Sequence, residues 1–346
     1  MAYSINAKDY FNTKLYTGTG SSNAITGVGF QPDWVWMKRR DGTSSHRLCD
    51  AVRGATKLLQ SSAQDAEQTG ADTLTSFDSD GFTLGADAAP YNVNVSGQSM
   101  VAWSWKANGQ GSSNTDGSIN TTYTSANTTA GISISKYTGT GANATVGHGL
   151  GVAPKMIMFK NLDTSTAWDV YFKDVGQGRR LFLDQSVSFN TSTNYMNDTY
   201  PTSTVFSVGN ADNTNKSGSP MIAYCFADVI GYQKIGSWSG NGNASGPMIY
   251  TGFKPAFILS KNSNRNENWL IHDNMEAHYN PNKTKISPND TAAKSSNSAF
   301  AMDFLSNGFK IRTTDTALNQ SGELYAYLAI AAAPLVGSNN IPCTAR

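Results

Sequence analysis

The stretch Gln31–Asp41, QPDWVWMKRRD, decides the fold of this chain. Its apolar run from Trp34 to Met37 follows a proline and ends at Lys38. Both alternating sets of side chains are apolar, which is typical of a strand buried on both faces of a sheet. Proline is compatible with the start of such a strand, since the first residue can do without its ladder hydrogen bond. We therefore predict a sheet that is covered on each side.

The same pattern recurs twice, as APKMIMFKNLD at 153–163 and KPAFILSKNSN at 254–264. A proline precedes the lysine by six positions in each copy, at Pro32 and Lys38, Pro154 and Lys160, and Pro255 and Lys261. The position eight residues beyond the lysine holds His46, Trp168 and Trp269. A glycine before the last apolar run, at Gly97, Gly218 and Gly322, repeats with nearly the same spacing. Landmarks that recur in one order indicate an internal threefold repeat.

These landmarks divide the chain into an N-terminal attachment segment at 1–13, unit 1 at 14–107, a linker at 108–135, unit 2 at 136–233 and unit 3 at 234–346. Glycine, serine and threonine dominate Asn108–Thr129, as in flexible linkers. Helical signal is weak, and only Asp50–Gln64 could carry a short helix. Asp80-Gly81 and Asn307-Gly308 lie between apolar residues and predict tight hairpin turns. We predict an all-β chain of three tandem antiparallel β-sandwiches, jelly-roll or concanavalin-A-like, with an immunoglobulin-like sandwich as the alternative.

Composition and charge exclude several classes of protein. Charged residues are 15% of the chain and the net charge is +1, so no general attraction to nucleic acid or to an anionic membrane is expected. The longest apolar run, about 324–336, is too short to span a bilayer, and no signal peptide is visible. Cys49, Cys225 and Cys343 lie far apart without a CxxC spacing, which predicts free thiols and no zinc site.

No motif of an enzyme stands out, so we predict no catalytic residue, no cofactor and no metal. His272 and His278 lie near Asp273 and Glu276 without a metal-site spacing, and we predict the two histidines to be surface or turn residues. Asp78-Ser79-Asp80-Gly81 resembles the start of a calcium loop without its closing glutamate. The TGTG turns lack the helix that phosphate binding requires. The candidates for ligand binding are three aromatics that could stack on sugars or fill a core, namely Tyr91, Trp238 and Tyr279.

The blocks YTGTG at 16–20, GFQPDWVWMKRRD at 29–41, FDSDGFTLG at 77–85 and VAWSWKANG at 101–109 are the most distinctive. Together they resemble a repeated domain of virion structural proteins, often described as tail-fibre proteins, in tailed bacteriophages, particularly marine ones. The resemblance covers nearly all of the chain and is closest in unit 1. It implies a protein made in the host cytoplasm and located in the virion, on the tail or the capsid surface.

The resemblance also implies a non-enzymatic role in assembly or host contact. The expected partners are other virion proteins, further copies of the chain in a homo-oligomer, and a host surface glycan or protein receptor. A tail-associated fibre or receptor-binding protein is the first interpretation. A capsid decoration or head fibre is the second, because the chain has neither heptads nor a repetitive shaft. A polysaccharide depolymerase stays open, because glycosidase carboxylates come from distant strands.

Overall fold

A computed structural model of the chain describes residues 5–87 and 91–333 and the short strands at 335–336 and 342–343. It is 40% strand and 4% helix with antiparallel sheets, which confirms the all-β fold class. Unit 1 follows a 3-10 turn at Ala7–Asp9 and contains β1 (Phe11–Thr17), β2 (Asn23–Ile25), β3 (Trp34–Arg39), β4 (Arg47–Asp50), β5 (Lys57–Leu58), β6 (Gln68–Thr69), β7 (Leu74–Asp78), β8 (Gly81–Leu84) and β9 (Ser99–Trp105).

The strands of unit 2 are β10 (Tyr123–Asn127), β11 (Ile132–Thr138), β12 (Ala144–Gly147), β13 (Met156–Asn161), β14 (Asp169–Phe172), β15 (Arg179–Phe182), β16 (Asn190–Thr191), β17 (Val205–Val208) and β18 (Pro220–Phe226), with helix α1 at Asp212–Asn215. Those of unit 3 are β19 (Gln233–Ser239), β20 (Met248–Tyr250), β21 (Pro255–Asn262), β22 (Leu270–Asp273), β23 (Thr284–Lys285), β24 (Ser295–Ser296), β25 (Met302–Leu305), β26 (Gly308–Ile311), β27 (Leu324–Ala331), β28 (Leu335–Val336) and β29 (Pro342–Cys343). A 3-10 turn at Ser298–Phe300 and helix α2 at Thr316–Asn319 complete it. No helix among the described residues is long and apolar enough to cross a membrane.

Corresponding strands take the same order in the main sheet of each unit. The orders are β1-β9-β3-β4, β11-β18-β13-β14 and β19-β27-β21-β22, and the unit 2 sheet continues with β10 at one edge and β15-β16 at the other. A smaller sheet lies in each unit, β2-β8-β7, β12-β17 or β20-β26-β25. The stretch quoted first is therefore a central strand, as its apolar pattern predicts.

Burial on both faces of that strand has two different causes. Val35 and Met37 belong to a cluster within unit 1 that includes Phe82 of the small sheet. Trp34 and Trp36 face the other way, into a core that draws residues from all three units. The Trp34 ring lies 5.0 Å from that of Tyr224 in unit 2. Units 1 and 2 therefore each have a cluster of their own and also share a core with each other and with unit 3.

Hydrogen bonds join the units into a closed ring. Corresponding backbone amides donate across each junction, from Glu67 to the Leu162 oxygen at 2.8 Å, from Phe189 to Ser263 at 2.8 Å and from Lys294 to Arg40 at 3.0 Å. The ring nitrogens eight residues beyond the lysines do the same, Trp168 to the Gln60 oxygen at 2.8 Å, Trp269 to Phe182 at 2.7 Å and His46 to Ser287 at 3.0 Å. Each unit therefore contacts both others.

The structure departs from the sequence interpretation at several segments. The predicted linker at 108–135 contains β10 and the start of β11, which pair with each other, so this part of the stretch is sheet. The predicted attachment segment at 1–13 includes the start of β1, while residues 1–4 lie outside the described part. A helix at Asp50–Gln64 is wrong, because β4 ends at Asp50 and β5 lies within that stretch. Cys49 and Cys225 are free and buried, as predicted, and the Cys343 side chain lies outside the description.

The recurring lysine of each central strand is buried against backbone carbonyls. Each Nζ donates to two oxygens, those of Arg39 and Thr291 for Lys38, Gln64 and Thr166 for Lys160, and Asn262 and Arg265 for Lys261. A neutral amine has two N–H groups, so two acceptors satisfy it, and burial disfavours the third proton. Desolvation lowers the pKa of Lys38 and Lys160 to about 8 and that of Lys261 to about 7.

These lysines predict that the protein becomes more stable as the pH rises from about 7 to about 9. The unfolded chain keeps its lysines protonated up to about 10.5, whereas the folded chain releases protons above about 7 to 8. Stability rises with pH wherever the unfolded state binds more protons. Urea denaturation midpoints across this window measure the effect. A Lys38→Met, Lys160→Met, Lys261→Met variant is expected to flatten the profile, and a falling profile in the unsubstituted protein would contradict the prediction.

Candidate binding site

One loop of unit 3 is longer than its counterparts. The segment between β4 and β5 covers 51–56 and that between β14 and β15 covers 173–178, six residues each. The corresponding segment between β22 and β23 covers 274–283, ten residues. Binding residues concentrate on loops that a rigid scaffold positions. This loop is therefore the first place to look for a site that the other two units lack.

The lengthened loop forms one wall of a shallow depression of about 190 Å³. The residues that line the depression are Lys254, Asn274, Met275, Ala277, His278, Asn280 and Phe304. Tyr279 lies between two of these residues in the chain, and its side chain is 85% exposed. We call this feature the unit 3 depression.

Hydrogen bonds hold both ends of the loop against the sheets. The Asn280 side chain donates to the Phe304 oxygen at 3.0 Å and accepts from the Phe304 amide at 2.9 Å. At the start of the loop, the Asn274 amide donates to the Ala256 oxygen at 2.8 Å. Near its end, Asn282 donates through Nδ2 to the Asp273 oxygen at 3.1 Å. These hydrogen bonds therefore hold the lengthened loop in a defined conformation.

Several polar groups at the depression have no partner within the described chain. The side-chain amide of Asn274, the imidazole of His278 and the ammonium group of Lys254 make no hydrogen bond or ion pair among the described residues. Their neighbour Glu276 is different, because its carboxylate is only 2% exposed and forms ion pairs with Arg40 and, at 3.1 Å, with Lys294. No carboxylate lines the depression. Its charge is therefore positive.

The three sequence-predicted aromatics take three different positions. Tyr279 is exposed on the lengthened loop, between two residues that line the depression. Trp238 is only 5% exposed, stacks on Tyr325 with ring centroids 5.0 Å apart and donates to the Leu318 oxygen at 3.1 Å. As a core residue of β19, it cannot serve as the exposed loop aromatic that the sequence suggests. Tyr91 is partly buried in unit 1, where its hydroxyl donates to the Thr69 oxygen at 3.1 Å and Arg47 covers its ring.

The histidines and carboxylates considered for a metal or an acid–base site are not brought together. His272 is buried and interacts through Nε2 with the Phe300 oxygen at 2.8 Å, while His278 is exposed. Asp273 turns to unit 1, where it accepts from Trp103 at 2.8 Å, and burial raises its pKa to about 6. No group of three or more His, Cys, Asp or Glu residues that could hold a metal occurs in the described part of the chain.

The lengthened loop leaves a signal in the sequence that the repeat alone does not reveal. Lys38 and Asp80 are 42 positions apart, whereas Lys261 and Asn307, their counterparts, are 46 apart. The four extra residues between these landmarks match the four extra residues of the loop. Spacing could therefore have placed the insertion in unit 3, although it could not have shown which side chains line a depression.

The chain is an all-β protein whose three main sheets share one strand order, and the lengthened loop at 274–283 belongs to the third. A family model described as a domain of unknown function, DUF7483, matches residues 6–334. Since this match spans nearly the whole chain and all three units, the chain belongs to this family. No curated protein matches the chain.

Proposed function

We propose that the protein is a non-enzymatic virion structural protein of a tailed bacteriophage, a tail-associated fibre or receptor-binding protein that contacts the host surface. The observation that carries the proposal is the ring of three units that share a core, with the lengthened loop 274–283 on unit 3. Such a ring is a rigid scaffold, and a loop on one unit gives it one distinct contact surface. The resemblance of the first unit to virion structural proteins supports the same role.

A capsid decoration or head fibre is the second candidate, and the shortness of the helices in the described residues favours it. The α-helices of the described residues, α1 and α2, have four residues each. A coiled-coil shaft, by contrast, needs heptads sustained over several turns. A compact head without such a shaft suits attachment to a capsid surface as well as to a tail tip. Either role includes other virion proteins and further copies of the chain as partners.

Cryo-electron microscopy of purified virions tests the placement. We expect density that fits the three-unit ring at the tail, with the copy number giving the oligomeric state. Density on the capsid would replace the first candidate by the second, and virions without the chain would overturn both. A separate experiment tests the proposal that the protein is not an enzyme. Incubation with host surface polysaccharide should release no new reducing ends. Release of reducing ends would instead establish a depolymerase.

A further inference from the structure

We propose that the unit 3 depression binds one acidic sugar residue, a hexuronate, of a host surface polysaccharide. This inference rests on the proposed host-contact function and names the ligand class for it. Four observations carry the inference: the size of the depression, the exposed aromatic residue Tyr279 next in the chain to its lining residues, its unpartnered polar groups and its charge.

The size of the depression suits a single sugar ring. Pockets for drug-sized ligands are roughly 300–1,000 Å³. The unit 3 depression, at about 190 Å³, is smaller, and the exposed Tyr279 lies in the chain between its lining residues His278 and Asn280. A pyranose presents a flat face of C–H groups that packs on an aromatic ring, whose face is electron-rich. Chain continuing beyond the bound residue would extend into solvent from the open side.

The unpartnered polar groups match the hydroxyl groups of a sugar. The side-chain amide of Asn274 offers two N–H donors and a carbonyl acceptor. The His278 ring offers one donor and one acceptor when it is neutral. Hydroxyl groups both donate and accept, so they can use each of these groups. The protein already holds the loop through Asn280 and Asn282, which reduces the ordering cost of binding.

Charge separates an acidic sugar from a neutral one. Lys254 lines the depression, whereas the one carboxylate on the loop, that of Glu276, is paired with Arg40 and Lys294. A carboxylate on the ligand would therefore meet a cation without an opposing anion, and charge-assisted hydrogen bonds are stronger than neutral ones. A neutral sugar would use Tyr279 and Asn274 and leave Lys254 without a partner.

Two probes that differ only at carbon 6, methyl glucuronide and methyl glucoside, test the inference by saturation-transfer NMR and titration with the full-length protein. We expect the glucuronide to bind roughly tenfold more tightly than the glucoside, a difference of about 1.4 kcal/mol. Tyr279→Ala should weaken both probes, whereas Lys254→Met should remove the difference between them. Tyr200→Ala is the matched control, since Tyr200 is an exposed tyrosine of unit 2 at 48% and should not affect binding.

Equal binding of the two probes would overturn the acidic class, and binding that survives Tyr279→Ala would overturn the site. Failure of both probes to bind at tens of millimolar would overturn the inference as a whole. None of these results bears on where the chain lies in the virion, which microscopy measures separately. A chain absent from virions would overturn the proposed function even if the glucuronide binds.

Discussion

Replacing Arg53 by methionine is expected to lower the free energy of unfolding by about 3–5 kcal/mol. The Arg53 side chain is fully buried, and its Nε donates to Oδ2 of the equally buried Asp50 at 2.5 Å. Its Nη2 donates to the Leu48 oxygen at 2.9 Å. Methionine fills similar space but leaves the Asp50 charge uncompensated in the core. Urea denaturation followed by tryptophan fluorescence measures the loss.

The effect of this substitution should reach beyond unit 1. Tyr224 of unit 2 donates its hydroxyl to the same Asp50 oxygen at 2.7 Å, so the ion pair lies at a junction of the ring. A double variant, Asp50→Asn with Arg53→Met, removes both charges and should recover part of the loss. Arg39→Met is the matched control, because the exposed Arg39–Asp41 pair is worth at most about 1 kcal/mol. If Arg53→Met costs no more than Arg39→Met, the pair does not stabilise the junction.

Local chemistry made the strands and hairpins predictable. The apolar alternation of Trp34–Met37 places a doubly covered strand, and Asp80-Gly81 places a turn between β7 and β8. The partners of the turn were not predictable, however. Oxygens of Asp80 accept from the amides of Gly27 at 2.9 Å and Gly29 at 2.7 Å, and these bonds lower the pKa of its carboxyl. The conformation of a turn depends on residues that are neighbours in the chain, whereas the long-range partners of its side chains depend on the whole fold.

The ring could not be predicted for a related reason. An apolar face of a strand must be covered, but its pattern does not say by what. Tandem sandwiches with separate cores satisfy the sequence as well as a ring does. The positions eight residues beyond the lysines indicated a contact, since Trp168 and Trp269 are large residues whose single N–H group needs an acceptor when it is buried. Only tertiary structure shows that each N–H reaches a carbonyl of the preceding unit.

The candidate site was predictable in part. Tyr279 follows a polar, charged stretch and precedes Asn-Pro, which favours an exposed turn, and the structure exposes it. The prediction for Trp238 was wrong because its neighbours, in GSWSG, are typical of a loop, whereas in the structure residues 236–239 belong to β19. Small residues around an aromatic fit a turn and also fit an edge strand that packs a single large side chain inward. Sequence alone does not separate these two cases.

The second large prediction concerns the TGTG turn of units 1 and 2, whose counterpart in unit 3 is SGNG at 239–242. A fully buried asparagine holds this turn in each unit, at Asn94, Asn215 and Asn319. In unit 2, Asn215 accepts from the Thr140 amide at 2.8 Å and donates to the oxygens of Ala142 and Gly209, each at 2.6 Å. The other two asparagines make the corresponding three bonds. The turn is therefore a structural device shared by the three units.

Asn215→Ala is expected to lower the free energy of unfolding by about 3–5 kcal/mol, since it removes two hydrogen bonds to the exposed residues Thr140 and Ala142, worth about 1 kcal/mol each, and leaves the carbonyl of the buried Gly209 without this partner, at about 1–3 kcal/mol. Gly139→Ala should be of similar severity, because its Cβ would lie 2.2 Å from the Lys216 backbone oxygen. Asn210→Ala, at an exposed asparagine of the same unit, is the matched control and should change stability by less than about 0.5 kcal/mol. Thermal and urea unfolding measure all three variants. Equal stability of the Asn215 and Asn210 variants would mean that water or a shifted backbone satisfies the turn, and that the asparagine does not hold it.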